Sequence, residues 1–215
     1  MKITTYLCVF MLSANLIHGQ LAITEFENQP NNANAAAEFI EIFNYSTSTV
    51  DLSGWTLSDG GGVVHTFSGS LTSGAYMIVT RAESTFETEW SIVDTGTQVV
   101  GAGSMVLANG GEPATLTNGS FTWAVDTLST FGTNGSLVLD DMFDFSTVSA
   151  TGVNLTSTSY EFAIAGVNGA VTSASGDIGS PLAGPYTAVP EPSTVTLVSI
   201  AIGTLVWLRR RNLVR

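Results

Sequence analysis

Carboxylates are the most numerous charged groups in this chain, and the stretch 38–59 combines several of them with Trp55. The carboxylates of that stretch are Glu38, Glu41, Asp51 and Asp59. Glu41 lies inside a strand-like run, EFIEIF, where a buried carboxyl group would have a perturbed pKa and could serve as an acid or a base. The alternative, which we favour, gives Glu41 a backbone or hydroxyl hydrogen-bond partner within a sheet.

The usual nucleophiles and bases of enzymes occur here without the partners that catalysis requires. His65 lies in a strand-like run, VVHTF, and a lone histidine in such a run predicts a residue at the rim or surface of a sheet. The sequence has no Gly-x-Ser-x-Gly elbow and no histidine pair at zinc-ligand spacing. Gly101 and Gly103 lack the third glycine and the helix of a nucleotide-binding loop, so they predict a turn. We therefore expect no enzymatic activity and no catalytic or cofactor-binding residue.

The densest acidic cluster consists of Asp140, Asp141 and Asp144. Calcium binds several oxygen ligands, so these three carboxylates are the candidate site for it. Their spacing differs from that of an EF-hand loop, which needs acidic residues at positions 1, 3 and 5 and a glycine at position 6. The sequence favours a solvated acidic loop and no cofactor, and calcium binding stays open as the alternative.

Positive charge is confined almost entirely to the two ends of the chain. Lys2 lies at one end and four arginines at the other, and Arg81 is the only basic residue between them. Without both ends, the body would carry a net charge near −17. Such a body repels phosphate backbones, so we expect no binding of nucleic acid.

Residues 1–19 have the order of a secretory signal peptide. Lys2 precedes an apolar run from about Ile3 to Leu16, and small and polar residues follow that run. We predict cleavage after Gly19 and export by the Sec machinery, with cleavage after Ala14 or Gln20 as alternatives. Cys8 lies inside the run and is the only cysteine, so the exported body would contain no disulfide and no thiol.

The C-terminal end combines a proline-rich element, an apolar run and a basic cluster. Pro190-Glu191-Pro192 precedes the uncharged segment 194–208, and Arg209, Arg210 and Arg211 follow it. A span of that length is short for a bilayer, and the arginines predict a cytoplasmic C-terminus. Residues 188–215 resemble the PEP-CTERM sorting signal, with the transmembrane helix at 194–208. The resemblance implies an exosortase as the processing partner, with membrane anchoring before processing and release to the cell surface or exterior afterwards.

The body, residues 20–187, has the short apolar runs and turn signals of an all-β protein. LAITEFE (21–27) alternates, which predicts a strand with Leu21, Ile23 and Glu25 on one face. Val50 and Leu52 are at even-numbered positions and Trp55 and Leu57 at odd-numbered positions, so a regular strand would place the two pairs on opposite faces. A bend near Gly54 must therefore bring all four side chains into one core. A short helical turn is predicted at 82–89, and hairpins are predicted at Asn118-Gly119 and Asn168-Gly169. Further strands are predicted at Val63–Phe67, Ala75–Thr80, Val99–Val100, Ser104–Ala108, Ala114–Thr117, Phe121–Val125, Ser136–Leu139 and Tyr160–Ala165.

The runs LAITEF, EFIEIFN, VDLSGWTLSD and GAYMIV, together with LANGGEPATL (107–116), resemble the lamin-tail domain. The core of the match is 21–117, with looser similarity extending to about residue 187 and an additional segment at 129–156. The resemblance implies an immunoglobulin-like β-sandwich. The resemblance to the sorting signal implies an exported protein associated with extracellular polysaccharide or the cell surface, and we predict a binding or structural role whose partners could be that polysaccharide or surface proteins. Two alternatives stay open: loop-mediated carbohydrate or calcium binding, and an accessory role in extracellular nuclease or phosphatase activity.

Overall fold

The computed structural model describes residues 20–31, 35–94, 96, 98–108, 111–126 and 135–189. The body folds as a sandwich of a six-stranded and a five-stranded sheet, which confirms the predicted fold class. The predicted signal peptide, 1–19, and the predicted membrane helix, 194–208, lie outside the described residues. Within the described ranges, no helix has the length and apolarity needed to cross a bilayer.

The six-stranded sheet is largely antiparallel, and its central strands are the first two of the body. Its strands, in spatial order, are β13 (Tyr160–Phe162), β11 (Leu137–Leu139), β1 (Leu21–Glu27), β2 (Phe39–Asn44), β7 (Tyr76–Thr80) and β8 (Val99–Gly101). The last pair, β7 and β8, is parallel. Every residue of β1 and β2 is buried, because both faces of this sheet are covered.

The five-stranded sheet packs across the other side of the main core. Its strands, in spatial order, are β12 (Gly152–Leu155), β10 (Thr122–Asp126), β9 (Pro113–Thr117), β4 (Thr56–Asp59) and β5 (Gly62–Thr66). Two short ladders complete the β-structure: β3 (Val50–Asp51) with β6 (Ser70–Leu71), and β14 (Val171–Thr172) with β15 (Ile178–Gly179). Short 3₁₀ helices lie at Ala35–Ala37, Phe145–Thr147 and Ser157–Ser159.

The bend predicted at Gly54 is present. A turn separates β3 from β4, closed by a hydrogen bond in which the Trp55 N–H donates to the Leu52 carbonyl (3.0 Å). Gly54 has φ 84°, a backbone conformation that glycine adopts without steric cost. Val50, Leu52, Trp55 and Leu57 are all buried in the main core. The bend therefore brings residues of opposite parity to one core, as the sequence predicts.

A second, smaller apolar cluster covers part of the outer face of the six-stranded sheet. The predicted helical turn is the helix α1 (Glu83–Trp90), whose Phe86 and Trp90 pack on Phe39. The Phe39 ring lies 5.2 Å from Phe86 and 5.7 Å from Trp90, centroid to centroid, in edge-to-face arrangements. The sheet is thus buried on both sides, and polar groups on its outer face are enclosed with it.

The predicted facing of β1 is wrong, because a bulge interrupts its alternation. Ile23 pairs with Ile42, but the next pair along is Glu25 with Glu41, so Thr24 is an extra residue. A bulge of one residue reverses the face of everything beyond it. Ile23 consequently packs in the main core, whereas Glu25 lies on the outer face beside Glu41.

The strand predicted at 104–108 is also wrong. Met105 and Leu107 are buried, so buried and exposed side chains alternate here as they do in a strand. However, the backbone N–H groups of residues 106–108 donate to carboxylates and not to a neighbouring strand. The Leu107 N–H donates to Glu38 Oε2 (2.9 Å), and the Ala108 N–H donates to Glu112 Oε1 (2.7 Å). The segment is therefore an irregular loop held by side chains.

Of the two predicted hairpins, the first is confirmed and the second is wrong. Asn118-Gly119 joins β9 and β10, which pair along their full length. Asn168 and Gly169 both have positive φ, 50° and 84°, and form a tight turn. However, the flanking strands β13 and β14 pair with β11 and β15 and not with each other. In the additional segment, β11 and β12 each join a sheet, and Phe145 enters the main core.

Candidate functional site: a buried carboxyl cluster

Six buried carboxyl groups lie on or beside the six-stranded sheet. This carboxyl cluster consists of Glu25, Glu27, Glu38, Glu41, Glu89 and Asp177, each 8% exposed or less. They come from β1, β2 and the residue before it, α1, and a closing segment that we define as residues 173–182. Arg81 is the only lysine or arginine between residues 20 and 189, so the cluster has almost no positive charge to balance it.

Glu25 and Glu41 form the centre of the cluster as direct cross-strand partners. Glu25 accepts hydrogen bonds from the Ser136 hydroxyl and from the Ser180 N–H (2.8 Å) and hydroxyl (2.8 Å). Burial nevertheless raises the pKa of Glu25 to about 7, because the charged form loses its hydration.

Glu41 accepts hydrogen bonds from the neighbouring strand β1 and from the closing segment. The Thr24 hydroxyl donates to Glu41 Oε1 (2.8 Å), and the Leu182 N–H donates to Oε2 (2.7 Å). The structure thus provides the hydroxyl partner predicted for Glu41. The perturbed pKa of the other interpretation is present as well: burial, and then the charge of Glu25, raises the pKa of Glu41 well above its usual value.

Glu27 is the least satisfied member of the cluster. Among the residues that the structure describes, no donor reaches its buried Oε1 atom. Burial is the largest cause that raises the pKa of Glu27 to about 9, and the charges of Asp177, Glu25, Glu89 and Glu38 add to it. Glu27 is therefore protonated at neutral pH.

Glu89 and Asp177 attach the closing segment to α1 and to the loop after β1. Glu89 Oε1 accepts hydrogen bonds from the Ser173 hydroxyl and from both the N–H and hydroxyl of Ser175, each at 2.6 Å. Asp177 accepts from the Asn31 N–H at 3.0 Å. The closing segment is therefore held by carboxyl groups along its whole length.

Glu38 connects the cluster to the irregular loop 104–108. Burial raises its pKa to about 7, against the hydrogen bond from the Leu107 N–H and the charge of Arg81, which both lower it. Among the described residues, Arg81 is the one lysine or arginine, and its charge does not offset the cost of burying Glu38.

The side chains of the cluster are enclosed by the described part of the body. Gly179 covers Glu25 so closely that a methyl group at its Cα would lie 2.7 Å from the Trp90 ring and 2.8 Å from Glu25 Oε1. Among the described residues, no group of three or more histidines, cysteines and acidic residues has a geometry that could hold a metal ion. The carboxyl groups of the cluster accept the hydrogen bonds that hold the closing segment. Those with raised pKa values keep their protons to a higher pH than free carboxyl groups do.

The other residues singled out by the sequence are dispersed. His65 is half-buried on β5, an edge strand, with its ring 4.6 Å from Phe67, and burial lowers its pKa. Asp140 and Asp144 each accept a hydrogen bond from the N–H two residues ahead, of Met142 (2.8 Å) and Ser146 (2.9 Å). Asp141 accepts one from the Asn168 side chain (3.2 Å). Asp140 and Asp144 thus serve local turns, whereas Asp141 binds a residue 27 positions away in the chain.

The predicted sorting residues lie outside the described residues. They are Pro190, Glu191, Pro192, Arg209, Arg210 and Arg211. The structure describes the chain up to the residue before the first of them, Val189.

Of the six clustered carboxyl groups, Glu41 alone was predicted from the sequence to be buried. Glu25 and Glu27 flank Phe26 in a strand that has apolar side chains on both faces, and that pattern indicates burial of the whole strand. Glu89 and Asp177 carry no comparable local signal, because the segments that enclose them are distant in sequence.

Two family models match this chain. The model described as Lamin Tail Domain matches residues 17–137, and the model described as PEP-CTERM protein-sorting motif matches residues 188–212. Both matches confirm the resemblances that the sequence motifs indicate. A comparison with curated proteins gave no match.

Proposed function

This chain belongs to the lamin tail domain family, and from that premise we propose a non-enzymatic role in binding or structure at the cell surface or in the extracellular matrix. Its PEP-CTERM motif marks the protein for export, surface sorting and processing by an exosortase. The proposal adds that the Sec machinery exports the chain, that the segment 194–208 anchors it in the membrane until processing, and that the body acts through its sandwich faces and loops.

The observation that carries the proposal is the order of features around residue 190. The described part of the body extends to Val189, and in the sequence Pro190-Glu191-Pro192, an uncharged segment and three arginines follow it. An apolar segment followed by arginines stops in a membrane with its basic end in the cytoplasm. The body would then lie on the outer side, where an exosortase could release it.

The body itself supports a binding or structural role more than a catalytic one. Its polar cluster is buried and engaged in holding the closing segment, as described above. The strongly acidic surface, with Arg81 as the only basic residue of 20–189 besides His65, would favour cationic partners and keep a released protein soluble. Neutral polysaccharide is a second class of partner that this charge does not exclude.

Replacement of Pro190, Glu191 and Pro192 by alanine should abolish processing in the native host. The processing enzyme would lose its recognition element, while the apolar segment and the arginines would still insert. Intact-mass analysis of the membrane fraction should then find the unprocessed C-terminus. Thr187→Ala, an exposed position just before the element, serves as the control and should be processed normally. Normal processing of the triple-alanine variant would contradict the exosortase assignment.

A further inference from the structure

Both ends of the described body meet at one residue, Tyr45. The Tyr45 N–H donates to the Gln20 carbonyl (3.1 Å), and the Val189 N–H donates to the Tyr45 carbonyl (2.7 Å). The Tyr45 side chain is buried, and its ring stacks on that of Phe145 at 4.7 Å. The predicted signal peptide and the sorting signal therefore leave the body from the same place.

Hydrogen bonds connect the segments of the surface around this point. We define the Tyr45 surface as residues 46–49, 72–75 and 187–189. Its first two segments are connected through Asn44, whose side-chain amide donates to the carbonyls of Ser48 (2.9 Å) and Leu71 (2.8 Å). The Ser73 hydroxyl adds a bond to the Ser46 carbonyl (2.7 Å). The tail therefore leaves the body from a surface whose loops are hydrogen-bonded to one another.

The linker between the Tyr45 surface and the apolar segment is very short. Only residues 190–193 separate Val189 from the apolar segment that begins at Thr194. At about 3.1 Å per residue for a proline-rich chain, the step from Val189 to Thr194 reaches roughly 16 Å. The headgroup region on one side of a bilayer takes up about 6 Å of that reach. About 10 Å remains, which is half the length of β2 at roughly 3.3 Å per residue.

The Tyr45 surface itself carries no charge that a bilayer would repel, since it contains no ionisable side chain. Carboxylates lie at both ends of the sandwich: Asp144 directly precedes Phe145, whose ring stacks on that of Tyr45. At the opposite end, the backbone of loop 104–108 binds Glu38, Asp59 and Glu112. The length of the tether, and not the charge of the body, therefore sets the orientation.

We propose that the Tyr45 surface is the membrane-facing surface of the unprocessed protein and rests against the lipid headgroups of the bilayer that holds the tail. This inference rests on the proposed membrane anchoring of the segment 194–208. It assigns the end of the sandwich that carries loop 104–108 to the side that faces away from the membrane, where partners would approach before release.

The test uses residues 20–215, the chain expected after removal of the signal peptide, in vesicles of phosphatidylcholine and phosphatidylglycerol, with a fluorophore on a single cysteine. Cys8, the only native cysteine, is removed with the signal peptide, so each introduced cysteine carries the only label. Thr47→Cys places the label on the Tyr45 surface, and Ser84→Cys, an exposed position on α1 at the opposite end, is the matched control. Lipids spin-labelled at the headgroup should quench the Thr47 label severalfold more than the Ser84 label.

A linker variant tests the cause of this orientation. A Gly-Ser insertion of about 20 residues after Val189 has a root-mean-square length of roughly 25 Å, which is enough to release the body from the bilayer. It should lower quenching at Thr47 to the level found at Ser84, while the protein still floats with the vesicles.

Two different results would overturn the inference. A protein that floats with the vesicles but shows equal quenching at both positions contradicts the membrane-facing surface and leaves the membrane anchor intact. A protein that does not float with the vesicles contradicts the anchor and, with it, both the inference and that part of the proposed function.

Discussion

Raising the pH from about 5 to about 7 is expected to lower the free energy of unfolding by about 3 kcal/mol through Glu27 alone. The pKa of Glu27 is raised from 4.5 to about 9 in the folded protein. Between those two values the folded state keeps a proton that the unfolded state has released. Stability is therefore fully present below about pH 4.5 and is lost as the pH rises towards 9, which is the reverse of the usual behaviour of carboxylates.

The groups that face Glu27 all act in the same direction. Asp177 lies in the closing segment, Glu25 on the same strand, Glu89 on α1 and Glu38 before β2, and the charge of each raises the pKa of Glu27. Glu25 and Glu38, whose pKa values are raised to about 7, add to the loss of stability up to that pH. The closing segment, which these carboxyl groups hold, should be the first part of the body to open.

Urea unfolding of the exported protein, followed by tryptophan fluorescence, measures this dependence at several pH values. Glu27→Gln removes one titrating group, so it should flatten the pH profile and make the variant more stable than the wild type above pH 7. Glu161→Gln, at an exposed position on β13, is the control and should leave the profile unchanged. A free energy of unfolding that stays constant or rises between pH 5 and pH 7 would contradict the account of the carboxyl cluster.

Trp55→Ala should lower the free energy of unfolding by about 3–5 kcal/mol, because it removes a large side chain from the main core and leaves a cavity. Trp55 is 3% exposed and lies 6.0 Å from the Phe121 ring, centroid to centroid. Its backbone also closes the bend, through the bond to Leu52 and through the bond that its carbonyl accepts from the Phe67 N–H.

Two further variants separate the side chain of Trp55 from the bend that positions it. Gly54→Ala meets no neighbouring atom within 4 Å but must adopt φ 84°, so it should cost about 1 kcal/mol through backbone strain alone. Val63→Ala, on the exposed edge strand β5, should cost less than 1 kcal/mol. Denaturant unfolding at fixed pH compares the three variants. If Trp55→Ala costs no more than Val63→Ala, Trp55 is not a core anchor.

The parts of the fold that could be predicted are those whose local pattern decides their structure. β1, β2, β7, β9 and β10 coincide closely with apolar runs, and the parity change around Gly54 correctly indicates a bend. The two-residue strands β6, β14 and β15 are too short to show any periodicity, and β12 joins its sheet through a parallel pairing with β10. The segment 104–108 has the alternation of a strand, but carboxylates from elsewhere take its backbone donors, and only the tertiary structure shows this.

The carboxyl cluster shows the same division. The position of Glu41 inside an apolar run indicates burial, and its hydroxyl partner follows from the need to satisfy a buried acceptor. The bulge at Thr24, which turns Glu25 towards Glu41, leaves no mark in the sequence LAITEFE. The cover over the cluster comes from the closing segment, which lies about 150 residues away from β1 in the chain. Such long-range burial cannot be derived from local patterns.

The mass of the mature protein in its native host is the most direct test of the proposed function. Intact-mass analysis of the protein recovered at the cell surface or in the medium should give a chain that begins near Gln20 and lacks Arg209 and the residues after it. A mature protein in the cytosol that retains Pro190-Glu191-Pro192 and the complete arginine-containing end would contradict export and processing together.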